Sequence, residues 1–118
     1  MKIIIGRDII RNHIDTIILH LLTEQDRYEY EICTTVSVRS DGAYVLKAPS
    51  LYSAFRRLES AQLVDSYWGN DRSKGARRKY YRITQAGIEY YRHTVEEWRK
   101  VKGFMDTLLG EEPPAHYD

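Results

Sequence analysis

The chain has 118 residues, with 18 Lys and Arg against 17 Asp and Glu and a formal net charge of +1. That length holds one hydrophobic core and leaves a helix for association. The single cysteine, Cys33, excludes an internal disulfide framework and an all-cysteine metal site. The histidines, His13, His20, His93 and His116, fall in no metal-ligand spacing, so neither a metal nor a cofactor is expected.

The apolar start, Met1 to Ile5, is broken by Arg7 and Asp8, too early for the apolar run of a signal peptide. No uncharged run approaches the ~20 residues of a membrane span. A reduced, cytoplasmic protein without membrane contact is the expectation. In chain order, Ile10, Ile14, Ile17, Ile18, Leu21 and Leu22 recur at helical spacing and predict an amphipathic helix over 8–24. Its β-branched isoleucines lower intrinsic propensity, so packing must hold it. Residues 28–39 have the β-branched content of a strand, but Tyr28, Ile32 and Val36 keep helical spacing, and a helix is expected. Ser40-Asp41-Gly42 reads as a turn.

Residues 48–61 predict a further helix, with Pro49 in its first turn and Leu51, Ala54, Phe55 and Leu58 as its apolar stripe. Tyr52, Ser53, Arg56 and Arg57 lie off that stripe. Leu63 to Trp68 and Arg77 to Thr84 are strand-like, and the polar stretch Gly69 to Ala76 between them predicts a β-hairpin. Thr84 is placed to cap a long helix from Gln85 to about Leu109. Ile88, Tyr91, Val95, Trp98, Val101, Met105 and Leu108 recur there mostly at gaps of three or four, close to a heptad seam. Such a helix needs a partner, and its copy in a second subunit is the expected one. The tail 111–118, with Pro113 and Pro114, is expected to be disordered.

The near-neutral total hides an asymmetry. Residues 47–82 hold nine Lys and Arg against three acids, a balance of +6, whereas the rest holds nine against fourteen, or −5. A localised basic region points to a polyanion site, with chance clustering on a wet face as the alternative. Its densest part is Gly75-Ala76-Arg77-Arg78-Lys79-Tyr80-Tyr81. That run also reads as a solvated charge cluster, an import-like tract or a charge-protected edge strand. The order of elements, three helices, a basic hairpin and a long helix, describes an α+β, mainly α fold: a winged helix-turn-helix over 1–84 with a dimerisation helix over 85–110.

Ser50 to Val64 (SLYSAFRRLESAQLV) followed by Gly75 to Gly87 (GARRKYYRITQAG) resembles the PadR family of bacterial transcriptional regulators, over nearly the whole chain. The length resembles the small multidrug-responsive, LmrR-like subgroup. Two positions depart from the family pattern: Gln62 stands where a helix-ending Gly is usual, and Ala76 replaces a small flexible residue at the wing base. The resemblance implies a homodimer on palindromic double-stranded DNA, with the third helix in the major groove and recognition helices about 34 Å apart.

On that reading Ser50, Tyr52, Ser53, Arg56 and Arg57 face the groove. Arg72, Lys74, Arg77, Arg78 and Lys79 follow phosphates or enter a minor groove. Tyr80 and Tyr81 are expected to be structural. Arg57 reads equally as one half of a surface ion pair, and Tyr52 alternatively as an aromatic packed beneath the wing. The resemblance also implies a small planar aromatic or cationic ligand at the dimer centre, stacked on Trp98 and flanked by Ile10, Asn12, Ile14 and Asp15, with Glu97 and Asp106 favouring cations. Trp98 as a plain dimer-core residue is the alternative. Two other function classes compare with this one. An enzyme is not expected, since no nucleophile-base-acid spacing, phosphate-cradling glycine loop or metal set occurs. A protein-interaction module built on the winged helix would bind DNA weakly and with little salt dependence, and the charge asymmetry argues against it.

Overall fold

The computed structural model describes residues 10–70 and 77–110, without the side chain of Asn12. The expected tail, 111–118, and the hairpin tip lie outside the described residues. Ile14–Glu24 forms helix α1, entered through a 3-10 turn at Arg11–His13, where a continuous helix from residue 8 was expected. No side chain caps this end, and a tightened first turn is one way to satisfy otherwise orphaned helix-end groups. Arg27–Tyr28 forms a two-residue strand, β1, that hydrophobic periodicity does not reveal. Helix α2 follows directly at Glu29–Arg39, its start closed by the Tyr28 amide donating to the Glu31 carboxylate at 3.3 Å.

Helix α3 spans Ala48–Ser60, strand β2 Val64–Trp68, strand β3 Lys79–Ile83 and helix α4 Gln85–Leu109. The sheet is antiparallel in the order β1-β3-β2, with Tyr81 paired to Ser66 on one side and to Arg27 on the other. The molecule is therefore mainly helical, with one small sheet.

Gln62 resolves the missing glycine. It takes φ 60°, its amide donates to Glu59 O, and the Leu63 amide reaches back to Leu58 O at 2.9 Å. These are the paired bonds that close a helix through a left-handed residue. The left-handed backbone costs a non-glycine residue about 1–2 kcal/mol, and the buried Leu58 and Val64 on either side hold it there.

The core lies between the helices and the inner face of the sheet. Ile18, Leu19 and Leu22 of α1, Ile32 and Val36 of α2, Leu51, Phe55 and Leu58 of α3, and Val64 and Tyr81 of the sheet are buried together. Each such aliphatic or aromatic side chain contributes about 1.5–3 kcal/mol on burial. Phe55 and Tyr81 stack face to face, with centroids 3.5 Å apart and planes 3° apart, so α3 and β3 are packed directly on each other. Gly87 fixes the other junction: a Cβ there would stand 2.1 Å from Leu63 O. Only glycine lets α4 leave the sheet so close to the end of α3.

A polar clamp joins α1, β1 and α2. The buried Arg27 donates to Leu21 O and to the Glu24 carboxylate, and Arg39 donates to both Glu24 oxygens at 2.7 and 2.9 Å. The Arg39 hydrogen bonds are the main cause that holds the Glu24 carboxyl down at about 2 against an ordinary value of 4.5. A depressed acid contributes stability above its unfolded value and loses it as pH falls through its folded value. Glu24→Gln is therefore expected to flatten the stability profile between about pH 4.5 and 2, read by urea denaturation across that range.

Candidate nucleic-acid interface

Helix α3 buries Leu51, Ala54, Phe55 and Leu58, and helical period then turns Ser50, Tyr52, Ser53, Arg56 and Arg57 outward, where all five are exposed. Two of them hold specific partners. The Tyr52 hydroxyl donates to the Glu29 carboxylate at the start of α2, and that carboxylate pushes the Tyr52 phenol up from its ordinary value. Arg57 makes a forked contact to Asp15 of α1, at 2.7 and 3.2 Å. Tyr52 is thus set at the surface by Glu29 and is not packed beneath the wing.

On the hairpin, Arg77 and Lys79 are exposed and Arg78 is half-buried. The Arg78 guanidinium lies 4.5 Å over the Tyr28 ring, and Arg82 lies 5.3 Å over Tyr67. Such cation–π seats orient a guanidinium while leaving part of it open to solvent. Arg72 and Lys74 lie outside the described residues. Tyr80 packs against Tyr67 and edge-on against Tyr28, and the Tyr67 hydroxyl donates to Asp26 at 2.5 Å. Strand β1, through Tyr28, therefore braces the wing. Tyr52 of α3 and Arg78 and Lys79 of the hairpin line one cleft of about 450 Å³, together with Tyr28, Glu29, Tyr30, Trp68 and Tyr81. The basic hairpin and the outer face of α3 belong to one continuous surface.

The candidates assigned to a ligand and to the seam are more dispersed. Ile14 is buried in the core, Ile10 is half-buried and Asp15 is engaged by Arg57. The ring against Trp98 is that of His13, 5.0 Å away. Of the seam residues, Tyr91 packs on its own protomer's core and meets His20 Nδ1 at 2.6 Å, and Ile88 and Val95 are half-buried. Val101, Met105 and Leu108 are exposed, beside Phe104 at 63 % and Leu109 at 68 %. From Glu96 to Gly110 every residue is exposed.

Sequence reasoning missed Glu29, His13 and the Glu24 clamp. Glu31, three residues after Tyr28, was the one local sign of where α2 begins. The partners of Glu29 and His13 come from distant segments, and no spacing announces them.

The sequence profile of the transcriptional regulator PadR-like family matches residues 18–93. An uncharacterized protein of Lysinibacillus sphaericus is 45% identical over 102 residues, covering 86% of this chain and 93% of that protein. A transcriptional regulator from Clostridium thermocellum superposes with a TM-score of 0.78 at 47% identity, over 85% of this chain and 96% of that one. A PadR family transcription regulator from Clostridium difficile gives a TM-score of 0.71 at 39% identity, over 83% and 99%. Among the described residues, no helix is long and apolar enough to cross a membrane. A match that runs from the middle of α1 into the first third of α4, across every element that builds the helix–wing surface, makes this chain a member of the PadR-like family of transcriptional regulators.

Proposed function

We propose that the chain is a homodimeric repressor that binds palindromic operator DNA in the cytoplasm. Residues 1–84 act as the DNA-binding head and residues 85–110 as the dimerisation helix. Helix α3 enters the major groove with Ser50, Tyr52, Ser53 and Arg56, while Arg77, Arg78 and Lys79 lie along the backbone. Arg57 lies on the same outward face, paired with Asp15 of α1. The observation that carries the reading is the shared cleft of Tyr52, Arg78 and Lys79. It aligns an outward-facing helix with a cationic strand, the arrangement that lets one docking event engage both a groove and its flanking phosphates.

The finer reading follows the LmrR-like subgroup. A planar aromatic or cationic compound stacks on Trp98 at the dimer centre, close to His13 and the N-terminal end of α1. Because ligand and DNA then act on one dimer geometry, each changes the other's affinity by the same factor.

Fluorescence anisotropy of a labelled DNA fragment from immediately upstream of the chain's own gene, against a scrambled fragment at several salt concentrations, tests this. Tight binding confined to the first fragment, with a steep salt slope, is the expected result, and a planar cationic dye should then displace the DNA. Replacing Arg77 and Arg78 together by Ala should weaken binding to every fragment and lower the salt slope by up to about two. Weak and equal binding to both fragments would favour the protein-interaction reading instead.

A further inference from the structure

The proposed DNA-facing surface is cationic, yet an acid lines its cleft. Glu29 opens α2 and shares the cleft with Tyr52, Tyr30, Trp68, Arg78 and Lys79. A carboxylate there repels phosphate, so nonspecific attraction does not account for it. It accepts the hydrogen bond that the Tyr52 hydroxyl donates. A phenol has one O–H to give and two lone pairs to receive with. With its only hydrogen directed at Glu29, Tyr52 presents lone pairs outward.

A phosphate oxygen only accepts hydrogen bonds, and an acceptor-only tyrosine cannot bind one. In the major groove the base-edge donors are the exocyclic amines, cytosine N4–H₂ and adenine N6–H₂. Guanine N7 and O6 and thymine O4 are acceptors and would meet lone pairs with lone pairs. We infer that Glu29 is a positioning residue that turns Tyr52 into an acceptor, so that Tyr52 selects a cytosine or adenine amine on the strand it faces, favouring A·T or C·G over T·A or G·C, at one base pair of each half-site. This rests on the DNA-binding reading of α3. Lys79, exposed on the wing side of the cleft, serves the backbone, so the two walls divide the work between sequence and affinity.

The test is selection of binding sites from a randomised duplex pool by the full-length chain and by Glu29→Ala, Glu29→Gln and Tyr52→Phe, at one fixed salt concentration. Circular dichroism serves as the check on folding. Gln keeps a carbonyl oxygen for the tyrosine hydrogen but removes the charge, whereas Ala removes both. The expected result is a wild-type motif with one position per half-site confined to cytosine or adenine. That preference should fall by about fivefold or more in Tyr52→Phe and Glu29→Ala, and survive in Glu29→Gln with higher overall affinity. Two outcomes overturn the inference while leaving DNA binding intact. One is a motif unchanged in all three variants. The other is Ala and Gln behaving alike, with affinity raised uniformly across sequences, which would make Glu29 a simple repulsive charge. A wild-type protein that enriches no sequence at all would overturn the DNA-binding reading and this inference with it.

Discussion

Met105→Asp is expected to turn a dimer into a monomer at micromolar concentration without unfolding the head. The distal half of α4 carries Val101, Phe104, Met105, Leu108 and Leu109, all exposed. An apolar stripe of that length on a solvated helix is unusual unless something covers it. The spacing Trp98, Val101, Met105, Leu108 is that of a helix–helix seam, and a two-fold pair would bury the same stripe from both sides. Each covered side chain contributes about 1.5–3 kcal/mol. Because the two-fold axis doubles every substitution, the aspartates enter as a pair. An uncompensated buried charge costs about 3–5 kcal/mol, which weakens the dimer by at least a hundredfold, since about 1.4 kcal/mol is tenfold.

The DNA consequence follows from linkage of two heads. A dimer places its second head at high effective concentration once the first is bound, an advantage of about 10²–10⁴. Met105→Asp should forfeit most of it on a palindromic site and little on an isolated half-site. Sedimentation equilibrium reads the first effect and anisotropy with whole and half sites the second. The helix-rich circular dichroism spectrum should be largely retained, since residues 96–110 are exposed throughout and the core lies elsewhere. A variant that stays dimeric would remove the distal stripe as the interface.

Phe55→Ala is expected to be the most destabilising single truncation in the core. Phe55 is 2 % exposed and is among the largest fully buried side chains. Phenylalanine-to-alanine changes in cores cost about 3–5 kcal/mol, a large share of the roughly 5–15 kcal/mol that hold a domain folded. The thermal midpoint should fall by roughly 10–20 °C. The stack on Tyr81 adds a second effect, because it is the aromatic contact that couples α3 to the wing strand. Protein that remains folded at low temperature should show DNA affinity lost beyond the unfolded fraction, as the helix and the hairpin lose their fixed relation. Thermal denaturation followed by circular dichroism gives the stability term, and anisotropy well below the midpoint gives the coupling term. Equal loss in both would mean that the wing keeps its place without the stack.

These two residues also mark what was legible. Phe55 belongs to a stripe whose period announces a helix and its buried face, and the structure places Leu51, Ala54, Phe55 and Leu58 there. Helix α4 ends at Leu109, one residue past the last position of its repeat, Leu108. The hairpin was visible because two β-rich runs flank a polar turn, although the paired part begins at Lys79, two residues later than expected. The family pattern marked Gln62 as the place where α3 would either take a left-handed residue or end differently, and φ 60° is what it adopts.

Local pattern thus determined the helices, the hairpin, the basic middle of the chain and the family resemblance, because each depends on residues within a few positions of one another. Tertiary structure alone decided which polar groups meet. Tyr52 with Glu29 joins positions 23 apart, Arg57 with Asp15 positions 42 apart, and His20 with Tyr91 positions 71 apart. Strand β1 exists only because β3 offers it a partner: two residues cannot carry a period. The seam of α4 is the clearest division. Its repeat was readable as one stripe, but where the helix leaves the head decided that Tyr91 serves its own core and Met105 stands free. The physical reason is that periodicity encodes which face of an element is apolar, whereas the surface that covers that face is set by how elements distant in sequence pack together.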